Sequence, residues 1–309
     1  MYNKALADGC TNSDGTCTNE DHLHIGDYVD LKTATTGSIP ISASESGMAT
    51  AGESVTDQNY DLSKNKLNWR VLGVSDDGEL ELIAGSPMKS DNSDGYLYLY
   101  SAWAYENGLD ILNKICNLYK DNDTTGYISK ARSVNEEDID KLTGITTEEL
   151  KKAYNIDAYY GGKNIGETYE FENQYTPYSF INGKTKTTVK GTINGYYYSV
   201  NSKVESDAPS VTLSNNRIYK MIFDGTEVDT GKCYWLASRF VGGNSSCVDF
   251  SLGLAYVDDG VSYTGDFYMF YSGGFGYYDV GGVRPVISLK SNITKSQVHK
   301  IADQIEKAW

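Results

Sequence analysis

The side chains able to do covalent or metal chemistry are few in this chain, and their spacing suits neither task. Histidine occurs only as His22, His24 and His299, near the ends, and none stands beside a Ser or Cys in a setting for nucleophilic catalysis. His22 and His24 with Asp21 and Asp27 could meet a metal, but two histidines leading into a strand are more often bystanders. The five cysteines are Cys10, Cys17, Cys116, Cys233 and Cys247. Cys10 and Cys17 enclose TNSDGT, whose Asp-Gly favours a tight turn, so the pair reads as a short disulfide loop or as two free thiols in a terminal segment. The other three read as small buried apolar side chains. DNDTTG, from Asp121 to Gly126, opens like a calcium loop, yet Arg132 stands where its closing glutamate belongs, and the stretch reads as a helix-ending loop. Asp258 and Asp259 precede Gly260, and turn geometry accounts for that triplet. No nucleophile elbow, phosphate-binding loop or dinucleotide fingerprint occurs. The sequence gives no reason to expect catalytic residues, a metal or a cofactor.

Composition narrows the classes further. The net charge is −15, and 26 Tyr stand against 8 Phe and 4 Trp. Phosphate backbones and anionic membrane leaflets repel such a chain, which argues against nucleic-acid or membrane partners. Cores are filled more economically by Leu, Ile and Phe, because a buried Tyr must satisfy its hydroxyl, whereas recognition surfaces are rich in Tyr, Ser and Gly. No apolar run reaches membrane-spanning length, and the first residues are too polar for a signal-peptide core. A soluble, exported protein is the expectation. Its 309 residues suffice for a sizeable core.

Several elements must position whatever site exists. IGDYVDL (Ile25 to Leu31) alternates as a strand, and the Ser/Thr/Gly/Ala-rich stretch that follows, to about Asn59, reads as a surface loop. LNWRVLGV and ELELIAG flank SDDG and predict a hairpin turning at Asp77-Gly78. Ala102, Tyr105, Leu109, Leu112, Cys116 and Tyr119 recur at steps of three and four, one stripe of a helix of about five turns. Ser133 with Glu136, and Thr146 with Glu149, read as capping boxes opening two short helices.

From about residue 154 to 232 the text turns to Tyr, Thr, Asn, Lys and Gly with β-like runs TYEFENQY, KTTVKGTI, GYYYSV and RIYKMIF. This predicts a β-rich insertion, with Tyr196 to Tyr198 on an edge strand covering the core. After Cys233 come three or four antiparallel strands with Gly-rich turns. SQVHKIADQIEKAW then places Val298, Ile301 and Ile305 on one face of a C-terminal docking helix or tail. The fold class is α+β.

The most unusual text runs from Phe240 to Asp279. Its 40 residues hold 8 Gly, 6 Tyr, 5 Phe, 5 Ser and 5 Asp, and no Lys, Arg, Glu, Gln, His, Trp, Pro or Ile. A mixed-charge block of that size would carry roughly ten charges of both signs. The flanks, YWLASR (Tyr234 to Arg239) and GVRPVISL (Gly282 to Leu289), are regular apolar strand text.

YWLASR, a Tyr/Ser/Asp/Gly block and then GVRPVISLKS together resemble the variable proteins of diversity-generating retroelements, which have a C-type-lectin-like fold. IGDYVDLK, LNWRVLGV, the long helix and ARSVNEEDIDKLTG are similar to a gut bacterial subclass whose precursors carry a pilin-like membrane segment. The resemblance covers most of Ile25 to Ser291, with the insertion interrupting it. It implies a flexible segment 1–24, a C-type-lectin-like domain 25–291 with a variable region at about 234–289, and a tail 292–309. It also implies change at adenines of Asn codons, which yields Tyr, Ser, Asp, Gly and a few others but never Lys, Glu, Gln, Trp or Met. The block obeys this apart from Met269, which must then be framework, with Val241, Phe250, Leu252, Val257, Val261 and Phe270 by alternation. The ligand-facing candidates are Gly243, Ser246, Cys247, Asp249, Asp258, Asp259 and Tyr263, continuing with Asp266, Phe267, Tyr271, Phe275, Tyr277, Tyr278 and Asp279. Trp235, Arg284 and Pro285 read as fold residues, with Arg284 expected to pair a carboxylate beneath the binding face.

The function implied is non-enzymatic binding of a protein or glycan on another cell, host or phage surface, outside the cell or on a phage tail. Tyr supplies contact area with few rotors, and Gly, Ser and Asp adjust shape and hydrogen bonding. Two other classes compete. One is a structural pilin-like or phage surface subunit whose Tyr face packs on a neighbour. The other is an enzyme of the related formylglycine-generating fold, for which Cys233 and Cys247 are the only nearby thiol pair.

Overall fold

The structure, a computed structural model, describes residues 23–50, 57–144, 168–173, 187–192, 198–201, 210–212, 216–223, 233–243, 248–258, 261–271, 278–291 and 299–300. It is a mixed α+β architecture dominated by strands. The first sheet is built around β4 (Trp69–Val74) and β5 (Leu80–Ala84), the expected hairpin. Gly78 holds the turn at φ +78°, a backbone open to glycine at no steric cost, and donates its N–H to Ser75. The sheet adds β1 (Tyr28–Asp30), β7 (Ile128–Ser133), β16 (Pro285–Leu289) and β17 (His299–Lys300) in the order β17-β1-β4-β5-β16-β7, all antiparallel. All five residues of β16 are buried, which a continuous apolar strand with neighbours on both sides requires.

The second sheet carries the Tyr/Ser/Asp/Gly block. Its strands are β6 (Leu97–Tyr100), β10 (Tyr198–Asn201), β11 (Ser210–Thr212), β12 (Tyr234–Gly243), β13 (Val248–Asp258), β14 (Val261–Tyr271) and β15 (Tyr278–Val283), in the order β11-β10-β14-β13-β12-β15-β6. Two small hairpins complete the β structure, β2 (Ser38–Ile41) with β3 (Gln58–Asp61) and β8 (Thr168–Asn173) with β9 (Thr187–Thr192). Beside the sheets lie α1 (Ser101–Cys116), α2 (Leu118–Asp121), α3 (Glu136–Thr143) and α4 (Asn216–Phe223).

Two apolar clusters follow from this layering. In the larger, Leu112, Ile115, Cys116 and Tyr119 meet Trp69, Val71 and Leu82 of the first sheet and Trp235, Leu252 and Leu254 of the second. Trp69 packs edge-on to Tyr119 at 5.1 Å between centroids, a geometry worth about 0.5–1.5 kcal/mol beyond burial. In the smaller, Met221, Ile222 and Phe223 of α4 close over Ile83, Val286, Tyr234, Leu236 and Ala255.

Several expectations from the sequence are corrected. The stretch before Asn59 is not all surface loop: β2 and β3 pair there and send Ile41 and Tyr60 into the interior, and Met48, in a helical turn between them, is buried as well. Its low apolar content hid two short strands. RIYKMIF is not a strand but α4, because Ile218, Met221 and Ile222 fall at helical spacing. The stripe from Ala102 to Tyr119 is split at Asn117 into α1 and α2. The capping box of α3 uses Asn135 and Asp138, each side chain accepting the other's backbone N–H at 2.9–3.0 Å. Ser133 ends β7 instead, its N–H bonded to Asn113 Oδ1 at 2.9 Å. Among the described residues six strands follow Cys233, five of them by Leu289, and they are not all antiparallel, since β12 and β15 run parallel. Tyr198 lies in β10, which β11 flanks, so it is not on the sheet's edge. His299 and Lys300 pair with Asp30 and Val29 as a strand where spacing predicts a helix. The capping box at Thr146 lies outside the described residues, and DNDTTG does end α2, with Asp123 accepting from Thr125 and Ile128.

Candidate functional site

The flanks of the variable block form its base. Trp235 is fully buried and donates Nε1–H to Leu97 O at 3.1 Å. Tyr234 donates its hydroxyl to Ile222 O at 3.0 Å, and burial pushes its pKa up. Among the described residues no carboxylate pairs with Arg284. It donates to the main-chain oxygens of Ala84, Ile222 and Met221 at 2.9, 2.7 and 2.5 Å and lies over the Tyr234 ring at 4.9 Å. Two of those oxygens close the C-terminal turn of α4, where unsatisfied carbonyls concentrate negative potential and a cation is held without a carboxylate.

Arg239 ends the apolar flank and fixes where the block begins. Its Nε and Nη2 donate to Tyr105 O and Glu106 O of α1 at 2.8 and 2.7 Å, and burial lowers its pKa. Just before it, the register between β12 and β13 skips Ala237 and Ser238. That bulge docks on other elements: Ala237 donates to Val134 O, and Ser238 Oγ accepts the N–H of Glu136 at the start of α3. A bulge re-aims the strand that follows it. Close approach completes the base, since a Cβ on Gly108 of α1 would stand 2.4 Å from Leu252 Cδ1.

Cross-strand register then sorts the block into two faces, because partners across a ladder share a side and successive residues alternate. Leu252 and Leu254 are buried in the core that contains α1. Positions Phe267, Gly265 and Tyr263 stand opposite Leu252, Leu254 and Tyr256 and so belong to that face. Asp266 stands opposite Gly253, Tyr268 opposite Ser251, and Tyr271 opposite Asp249, which places these positions on the other face together with Phe240, the partner of Ser251. Lower on that other face, Tyr234, Leu236 and Ala255 are covered by α4 and β16. Gly253, the register partner of Leu236 on this face, is buried as well.

The fourteen candidates therefore do not form one set. Asp249, Asp266 and Tyr271 come together on the face away from α1. Tyr263 and Phe267 sit at positions on the α1 face, so their assignment to one common ligand face is corrected. Gly243 pairs with Val248, Asp258 with Val261 at the hairpin tip, Tyr278 with Tyr100 and Asp279 with Leu99. Ser246, Cys247, Asp259, Phe275 and Tyr277 lie outside the described residues, as do Cys10 and Cys17. Phe240, Ser251 and Tyr268 were missed. Strict alternation fails beyond Tyr268 because Met269 is skipped between the pairs Ser251–Tyr268 and Phe250–Phe270. Met269 thus occupies a bulge, a position suited to framework.

The described titratable groups point to structural tasks. Cys116 and Cys233 are free and buried, burial raises the Cys116 pKa, and Cys233 Sγ donates to Val280 O. Asp27 is engaged by the His24 backbone N–H at 2.9 Å and by Arg217 Nη1 at 2.5 Å. Among the described residues no group of His, Cys, Asp and Glu could hold a metal ion, and no helix is long and apolar enough to cross a membrane. Compared with protein-family models, with curated proteins and with solved structures, the chain shows no match.

Proposed function

We propose that this chain is a non-enzymatic ligand-binding protein, displayed outside the cell or on a phage tail, of the diversity-generating retroelement variable class with a C-type-lectin-like fold. Its site is the distal part of the sheet face on β12, β13 and β14 that points away from α1. One observation carries the reading. The register gathers Asp249, Ser251, Asp266, Tyr268 and Tyr271 on that face, within a block free of Lys, Arg, Glu and Gln. Strands buttressed by Arg239, Trp235 and Arg284 would hold those positions in place before a ligand arrives, which lowers the ordering cost of binding. The mixed α+β architecture supports the reading at the level of fold class.

Two measurements test it. Sequencing the surrounding DNA should find a near-copy of the Trp235 to Leu289 region that differs at adenines, beside a reverse transcriptase gene. An isolated gene with no such copy removes the diversification part. A combined glycan and protein array should return a ligand whose capture is lost in Tyr268→Ala and Tyr271→Ala while circular dichroism stays unchanged. Capture that survives both substitutions sinks the site.

A further inference from the structure

We draw no further inference here: the strongest candidate, the outer edge of β7 in the first sheet, is held at Ser133 by Asn113 Oδ1 of α1 and flanked by Lys130 and Arg132 already paired with Asp77, Glu81 and Asp138, and nothing in the structure shows what else would cover it.

Discussion

A guanidinium with no solvent exposure must set its donors on acceptors that the fold provides, and Arg284 finds them on the main chain of Ala84, Met221 and Ile222. The sequence suggested a carboxylate partner because a buried charge ordinarily needs one. Nothing local to GVRPVISL reveals a helix end brought in from 62 residues away. Lysine at 284 keeps the charge but offers one nitrogen where three acceptors diverge, so Arg284→Lys should cost about 2–4 kcal/mol. A urea midpoint equal to wild type would refute this account of the flank. The thiols give a second check at the same scale. Cys116 and Cys233 are buried and Cys116 is held protonated by burial, so in a Cys10→Ser/Cys17→Ser/Cys247→Ser variant neither should react with a thiol reagent until the protein unfolds. Rapid labelling of Cys233 in the native state would reopen the thiol-enzyme alternative.

Elements were legible where pattern and punctuation agreed. The β4–β5 hairpin shows alternating apolar residues around Asp77-Gly78, and α1 shows one unbroken stripe, so both could be located from the text. α4 was not, because its eight residues are rich in Tyr, Ile and Phe, and composition outweighed a spacing too short to stand out. The face assignment in β13 and β14 failed for a related reason: the one-residue bulge at Met269 shifts parity along β14, and only pairing partners reveal a bulge. The loop from α2 to β7 gives a pH prediction. Burial alone would raise the Asp123 pKa, but hydrogen bonds from Thr125, Ile128 and Gly126 outweigh it and hold the carboxyl below its usual range. A depressed folded pKa means the carboxylate contributes stability above its unfolded pKa of about 4 and loses that contribution as pH falls through the folded value. Asp123→Asn should therefore be less stable at neutral pH and show a shallower loss of stability below about pH 4. Denaturant titrations of both proteins across that range decide it. Parallel acid limbs would assign the sensitivity to other carboxylates.

At the scale of the molecule, the stretch from 154 to 232 had no purpose readable from its text, and the sheet order supplies one. Edges of sheets are templates for unwanted pairing, and this fold closes one of them with a single side chain. Gln58 accepts the N–H of Tyr98 through Oε1 at 2.8 Å and donates Nε2–H to Tyr98 O at 3.3 Å, standing in for a strand beyond β6. At the opposite end the insertion performs the same service with backbone. β10 pairs with β14 at Ser262, Tyr263 and Thr264, and β11 lies outside β10. Meanwhile α4, from the same insertion, ties Asp27 through Arg217 and receives Arg284 and Tyr234 at its other end. The two services can be separated. Replacing residues 168–212 by a short Gly/Ser linker retains α4 and uncovers β14, an eleven-residue strand with no Lys or Pro to guard against pairing and nothing but Tyr, Ser, Thr and Gly where β10 leaves it, at Ser262 to Gly265. Such a variant should keep its near-ultraviolet circular dichroism yet self-associate with rising concentration in sedimentation experiments. Adding Ser262→Lys to it should restore the monomer, because a charge on the uncovered edge blocks strand addition. A deletion variant that stays monomeric would show that β14 needs no cover and that the strands of the insertion serve some other end. One that loses its tertiary signal would show instead that β10 and β11 are part of the folding core.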